Sequence, residues 1–313
     1  MSVVPKTLSL SFACAAALGA FAVFPSLAAG ADAWITTWAA SPQARWNDEL
    51  PVPFGVAEAL DNQTVRQVVR VSVGGQRVRI VLSNEFGAKP LTIGGGSVGL
   101  AGKDGAVEGA VKPLSWAGQG SVTIPPGAPM VSDPVDLPVE ALGSLSVSIF
   151  LPRKTAVSTV HWDGAQTAYI SEPGDFTKAE SFKAASTTKS RLFLSAISVD
   201  AKPDSKAIVF FGDSITDGAC STADANHRWP DVIAERLQKD GHKDVAVVNE
   251  AISGNRVLSD GMGINALARF DDDVLDHPRV ATVVVMEGIN DIGWPGEKSI
   301  TPDDKMRTKD EII

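Results

Sequence analysis

The stretch "AIVFFGDSITDGACS", Ala207–Ser221, decides the reading of this chain. Five apolar residues, Ala207–Phe211, run without interruption into Gly212-Asp213-Ser214 and then into a polar loop containing Gly218. A short, continuous apolar run ending in glycine reads as a strand buried on both faces, as in a parallel sheet. Two more such runs follow. Val245–Val248 leads into "VVNEAISGNRV", and Val280–Met286, "VATVVVM", leads into "EGIND". Between them Trp229–Lys239 reads as a helix with Pro230 in its first turn. Ile264, Leu267, Phe270 or Asp271, and Val274 give a second helical stripe. Strands alternating with helices predict an α/β parallel sheet whose site lies beyond the carboxyl ends of the strands. One edge should therefore gather a serine, Ser214, a glycine backbone, Gly254, and a carboxamide, Asn290.

Upstream the text changes character. In "VVRVSVGGQRVRIVLSN", Val69, Val71 and Val73 alternate with polar residues. After Gly74-Gly75 the alternation resumes at Val78, Ile80 and Leu82, which predicts a hairpin. "SLSVSIFLP" repeats the period through Leu145, Val147 and Ile149, and prolines at 125, 126, 134 and 138 punctuate the region. These features predict an antiparallel β-sandwich or jelly roll over residues 32–202, with the boundary to the α/β part (203–313) near Lys202-Pro203-Asp204.

The first 31 residues stand apart. Lys6 is their only charge, Leu8–Phe24 is apolar, and small residues close the segment. This is the layout of a secretory signal peptide. An N-terminal membrane anchor is the alternative, but the run is shorter than the roughly 20 residues a span requires. The expectation is a secreted or periplasmic protein with no stable membrane insertion after signal cleavage. The 313-residue chain has a net charge of −9, which disfavours nucleic acid and anionic membranes as partners. Of its two cysteines, Cys14 lies in the leader, leaving Cys220 without an internal disulfide partner. One cysteine and four scattered histidines predict no metal site.

Two motif readings fail. Gly212 and Gly218 are one residue too far apart for a P-loop and no lysine follows. Thr216 stands where a G-x-S-x-G elbow needs glycine.

"GDSITDG", "AISGNRV" and "GIND", in this order at three strand ends, resemble the first three blocks of the GDSL, or SGNH, hydrolase family. "TTWAASPQ" (Thr36–Gln43), "VRVSVGGQRVRIVLSNEFG" (Val69–Gly87) and "VHWDGAQTAYISEPGD" (Val160–Asp175) resemble an exported bacterial branch of it. The resemblance implies a flavodoxin-like core and ester hydrolysis through an acyl-serine intermediate, with no cofactor, on a small-molecule or polysaccharide-linked ester. Ser214 would be the nucleophile. The backbone N–H groups of Ser214 and Gly254 and the side-chain NH₂ of Asn290 would form the oxyanion hole. Such preorganised donors contribute about 3–4 kcal/mol each to transition-state stabilisation. Taken singly, the three residues also fit a turn former, an αL glycine and a loop cap.

The family's fourth block, Asp-x-x-His, has no counterpart, since no histidine follows His277. The catalytic Asp and His are therefore expected to be absent, the core incomplete, and the chain truncated and slow. His277 and His242 read as surface-loop residues on the wrong edge, because a strand length separates them from the site. His227 reads as a loop residue on the correct edge, and His161 as one whose packing the text does not settle. Two other functions fit: an acyltransferase, or a carbohydrate- or surface-binding β module attached to an inactive hydrolase fragment. For the module, Trp34, Trp38, Trp46, Trp116 and Trp162 would supply the stacking surface.

Overall fold

The computed structural model describes residues 34–46, 53–297, 300–301, 304–305 and 308–312. The leader proposed for residues 1–31 lies outside them. Asp32–Ile313 form one compact unit.

Two antiparallel sheets carry the first part of this unit. One joins Trp34–Ala39, Leu194–Asp200, Gly75–Ser83 and Pro129–Val131 in that order, with Val135–Val139 also paired to Gly75–Ser83. The other runs Ala184–Thr188, Ala168–Pro173, Gln63–Arg70, Ser144–Leu151, Gly95–Ala101 and Val107–Pro113. Their alternating valines, leucines and isoleucines, among them Val65, Val69, Val78, Ile80, Leu145 and Ile149, are fully buried. Period-two patterning turns one side of each strand into a common core.

The expected hairpin at Gly74-Gly75 is not formed. Gln63–Arg70 pairs with Ser144–Leu151 and Ala168–Pro173, whereas Gly75–Ser83 pairs with strands of the other sheet. Neither glycine has the positive φ of a primed turn. A Cβ on Gly74 would stand 2.2 Å from the Val139 carbonyl oxygen, so this glycine permits close approach of two backbones. The intervening Val71 and Ser72 bond instead to the carbonyls of Gly143 and Thr37, at 2.9 and 3.0 Å. Alternation registers which side is buried; it does not identify the partner strand.

The second part is a three-stranded parallel sheet in the order Val245–Asn249, Lys206–Gly212, Val280–Met286. Helix α1 spans Ser214–Asp217, α2 Trp229–Lys239, α3 Ala266–Phe270 and α4 Ile289–Gly293, and a π-helical turn, Asp271–Leu275, continues α3. The central strand is the Ser214 strand, its apolar run buried as expected. Two details differ from the sequence reading. Val280–Met286 is an edge strand among the described residues, and its Val285 and Met286 are 59% and 41% exposed. The α3 stripe holds in part: Val274 is buried and Phe270 packs on the Phe211 ring, but Leu267 is exposed, and Arg269, 2% exposed, turns inward into a polar network. Segment Thr36–Gln43 serves both parts. Its strand pairs with Leu194–Asp200, and the following Ser41 reaches Glu250 and Asp273 beside the parallel sheet.

Candidate active site

Gly212 ends the central strand. Its carbonyl accepts from the Ile252 N–H at 2.9 Å, and the Asp213 N–H donates to the Met286 carbonyl at 3.2 Å, so both neighbouring strand ends are tied to it. A Cβ on Gly212 would lie 2.6 Å from that same Met286 oxygen. Asp213 caps α1 by accepting from the Ile215 N–H at 3.0 Å. Ser214 is therefore the first helical residue after the turn, half-buried, with its hydroxyl unbonded among the described residues.

The second end carries Ser253-Gly254-Asn255, all buried. Gly254 has φ +78°, and a Cβ there would meet the Met262 sulfur at 2.5 Å and the Trp294 ring at 2.7 Å. Only glycine suits both the backbone and the space. Asp217 fixes this turn from α1: its Oδ2 accepts from the Ser253 N–H at 2.8 Å and hydroxyl at 2.7 Å.

The third end begins at Gly288, φ +105°, and opens α4. Asn290 is 8% exposed and donates through Nδ2 to the Asn255 carbonyl at 2.8 Å. Asp291 accepts from the Val257 and Leu258 N–H groups at 2.8 and 3.3 Å. Ser214, Gly254 and Asn290 thus sit on three adjacent strand ends cross-linked to one another.

Beneath them lies a residue the sequence reading missed. The Arg269 guanidinium donates to the Gly212 carbonyl at 3.2 Å, the Glu250 carbonyl at 2.6 Å and Asn255 Oδ1 at 2.8 Å. It also reaches Asp273 at 2.7 Å and Glu287 at 3.4 Å, and lies 4.0 Å over the Phe211 ring. One buried cation therefore holds a group from each of the three strand ends. No local pattern announces this, since "ALARF" reads as an ordinary amphipathic helix.

The carboxyls around it are perturbed. Burial, then the charge of Glu250, pushes Asp273 up to about 6 against the opposing effect of Arg269. Burial likewise pushes Glu287 up to about 8, helped by Asp213 and Asp291 and opposed by Arg269. Its Oε2 is buried without a hydrogen-bond partner.

The histidines divide. His227 and His242 are exposed. His277 is not a free surface residue: its ring bonds Glu250 Oε1 at 2.6 Å and Thr36 Oγ1 at 3.1 Å, and its side chain is 11% exposed. It is anchored because Glu250 directly follows the strand Val245–Asn249 and Thr36 lies on the strand Trp34–Ala39. His161 is fully enclosed, bonded to Ser41 and Asp217. Cys220 is exposed. Of the five tryptophans considered for stacking, Trp38 and Trp116 lie in the core. Trp46 and Trp162 are half-buried against one another, ring centroids 5.4 Å apart, and Trp34 is half-buried under Arg79. Among the described residues no cluster of His, Cys, Asp or Glu is disposed to hold a metal ion, and no helix is long and apolar enough to cross a membrane.

Residues 210–308 match the GDSL-like lipase/acylhydrolase family. Three solved structures are similar. AlinE4, an SGNH-hydrolase family esterase, is 22% identical with a TM-score of 0.24, over 29% of this chain and 44% of that one. The acetyl xylan esterase AlAXEase is 27% identical, TM-score 0.23, over 31% of this chain and 44% of that one. A family two carbohydrate esterase from Cellvibrio japonicus is 12% identical, TM-score 0.25, over 84% of this chain and 67% of that one. The chain thus spans under half the length of the first two. No curated protein matches it.

Proposed function

We propose, from the premise that residues 210–308 form a domain of the GDSL-like lipase/acylhydrolase, or SGNH, family, that the chain carries the nucleophile and oxyanion hole of a serine esterase. The observation that carries this reading is the cross-linking of three parallel strand ends at the edge that bears Ser214, Gly254 and Asn290. The strand order, with the Ser214 strand in the middle, supports a flavodoxin-like core. Residues 32–202 are its accompanying β region, and segment 1–31 supports export.

In acylation the Ser214 oxygen attacks the ester carbonyl, and its proton leaves to a base as the carbonyl oxygen becomes an anion. The Gly254 N–H, the Ser214 N–H and the second proton of the Asn290 carboxamide stabilise that anion. The alcohol leaves with a proton, and water then hydrolyses the acyl-serine. No cofactor enters these steps. Among the described residues no histidine ring bonds to the Ser214 hydroxyl, and the family's Asp-x-x-His block has no counterpart in the sequence. The chain by itself is therefore expected to turn over slowly, within the roughly 10³–10⁴-fold acceleration that oxyanion stabilisation and binding leave when a triad member is missing.

The test is hydrolysis of p-nitrophenyl acetate by the chain and by Ser214→Ala. A slow, Ser214-dependent reaction with acyl-serine visible by mass spectrometry supports the reading. A rate indifferent to Ser214→Ala overturns it.

A further inference from the structure

We infer that His161, from the β region, is a positioning residue of the Ser214 site: as an imidazolium it fixes Asp217, and through Asp217 the Ser253–Gly254 turn. The inference rests on the roles proposed above for Ser214 and Gly254.

The protonation state follows from the partners. His161 Nδ1 lies 3.1 Å from the Ser41 carbonyl oxygen, which can only accept, so Nδ1 bears a hydrogen. Nε2 lies 3.0 Å from Asp217 Oδ1. The other oxygen of Asp217 accepts two hydrogen bonds from Ser253, at 2.8 and 2.7 Å, which favours the carboxylate form. Imidazole is the stronger base of the pair, so the proton between Nε2 and Oδ1 rests on Nε2, and a ring that donates at both nitrogens is positively charged. Both side chains are buried, at 3% and 2% exposure, so water does not substitute for either partner.

The surrounding charges agree with this state. Asp217 and Asp163 face the ring with negative charge; Arg228 opposes it, but is itself paired with Asp231 at 2.9 Å. Burial pulls the ring's pKa down, and the charge and hydrogen bond of Asp217, with the Ser41 carbonyl, more than reverse this, leaving it raised.

The consequence is geometric. Asp217 sits three residues after Ser214 on α1, and Ser253 immediately precedes Gly254. The carboxylate therefore fixes the candidate nucleophile's helix against the candidate oxyanion turn, and the imidazolium holds the carboxylate. Neutralising or deleting the ring leaves a buried carboxylate without its counter-charge, and the turn it holds shifts. A misplacement of about 1 Å at such a donor is enough to cost about 10²-fold in rate.

The experiment uses the full chain, with p-nitrophenyl acetate hydrolysis and the rate of Ser214 phosphonylation by a fluorophosphonate as readouts. In the latter the Ser214 Oγ–P bond forms, the P–F bond breaks, fluoride leaves and the hydroxyl proton passes to water. His161→Ala is expected to lower kcat about 10- to 100-fold with KM changed less than about twofold. His161→Gln, whose NH₂ replaces the Nε2 donor, should restore part of kcat and flatten the alkaline fall of the pH profile. Ring ¹⁵N NMR of the wild-type chain, which does not depend on any variant folding, should show both His161 nitrogens protonated at about pH 7. A singly protonated ring there, or a folded His161→Ala with wild-type kcat and pH profile, overturns the inference. Should Ser214→Ala leave ester hydrolysis unchanged and the chain still be labelled by the fluorophosphonate at another residue, the failure lies with the Ser214 reading, and the positioning role falls with it even if the ring is doubly protonated.

Discussion

Asn290 donates one carboxamide proton to the Asn255 carbonyl oxygen at 2.8 Å. The candidate oxyanion donor is thus oriented by the loop that carries the other candidate donor, Gly254, and its second proton makes no hydrogen bond among the described residues. Asn290→Ala should slow acylation of Ser214 by about 10²–10³-fold, the usual effect of losing one oxyanion donor. It should also destabilise the fold by about 1–3 kcal/mol, because a buried carbonyl loses its partner. Rates with p-nitrophenyl acetate and urea unfolding check the two effects separately.

Gly254→Ala introduces a Cβ where φ is +78° and the Met262 sulfur would stand 2.5 Å away. Both backbone strain and overlap oppose it. A stability loss of about 1–3 kcal/mol is expected, together with a fall in kcat, since the turn must move to admit the methyl. Thermal unfolding followed by circular dichroism and the ester assay read the two quantities.

Arg269→Met removes the cation but keeps the length of the side chain. It strands Asp273 and frees the carbonyls of Gly212 and Glu250. Breaking a buried pair on one side costs about 3–5 kcal/mol. Arg269→Lys should recover little, because one ammonium cannot span acceptors from three strand ends. Equilibrium denaturation of both variants checks this; a lysine variant as stable as wild type would contradict the bridging role.

Glu287 has a folded-state pKa near 8 against an ordinary 4.5. Between these values the unfolded chain is ionised while the folded one keeps its proton. Stability therefore falls as pH rises through this window and levels off above about 8. Glu287→Gln removes the dependence, so its advantage over wild type should be small near pH 4.5, grow to a few kcal/mol in order of magnitude by about pH 8, and stop growing beyond it. Melting curves across that range test the sign.

His277 is raised as well. Burial lowers its pKa, but the hydrogen bond and charge of Glu250 outweigh that effect. Its contribution is complete below 6.5 and disappears as pH climbs through the raised value. His277→Gln should accordingly destabilise the chain more near pH 6 than near pH 9. Equal losses at both would remove the charge from the account.

The sequence by itself determined what local chemistry determines. The uninterrupted run Ala207–Phe211 requires cover on both faces, and it forms the central strand. The valines and leucines at period two built the core shared by the two antiparallel sheets, and three apolar runs marked three ends on one edge. Tertiary structure alone decided which strands pair, as Gly74-Gly75 shows, because alternation is satisfied by any partner that covers the same face. It alone placed Arg269, His161, Ser41 and Asp273, since a buried charge becomes tolerable only when partners distant in sequence arrive around it. Ser41 and Asp273 are 232 positions apart, yet meet at 2.9 Å. A hydrophobic pattern is a property of neighbours along the chain, whereas the compensation of a buried charge is a property of the closed fold.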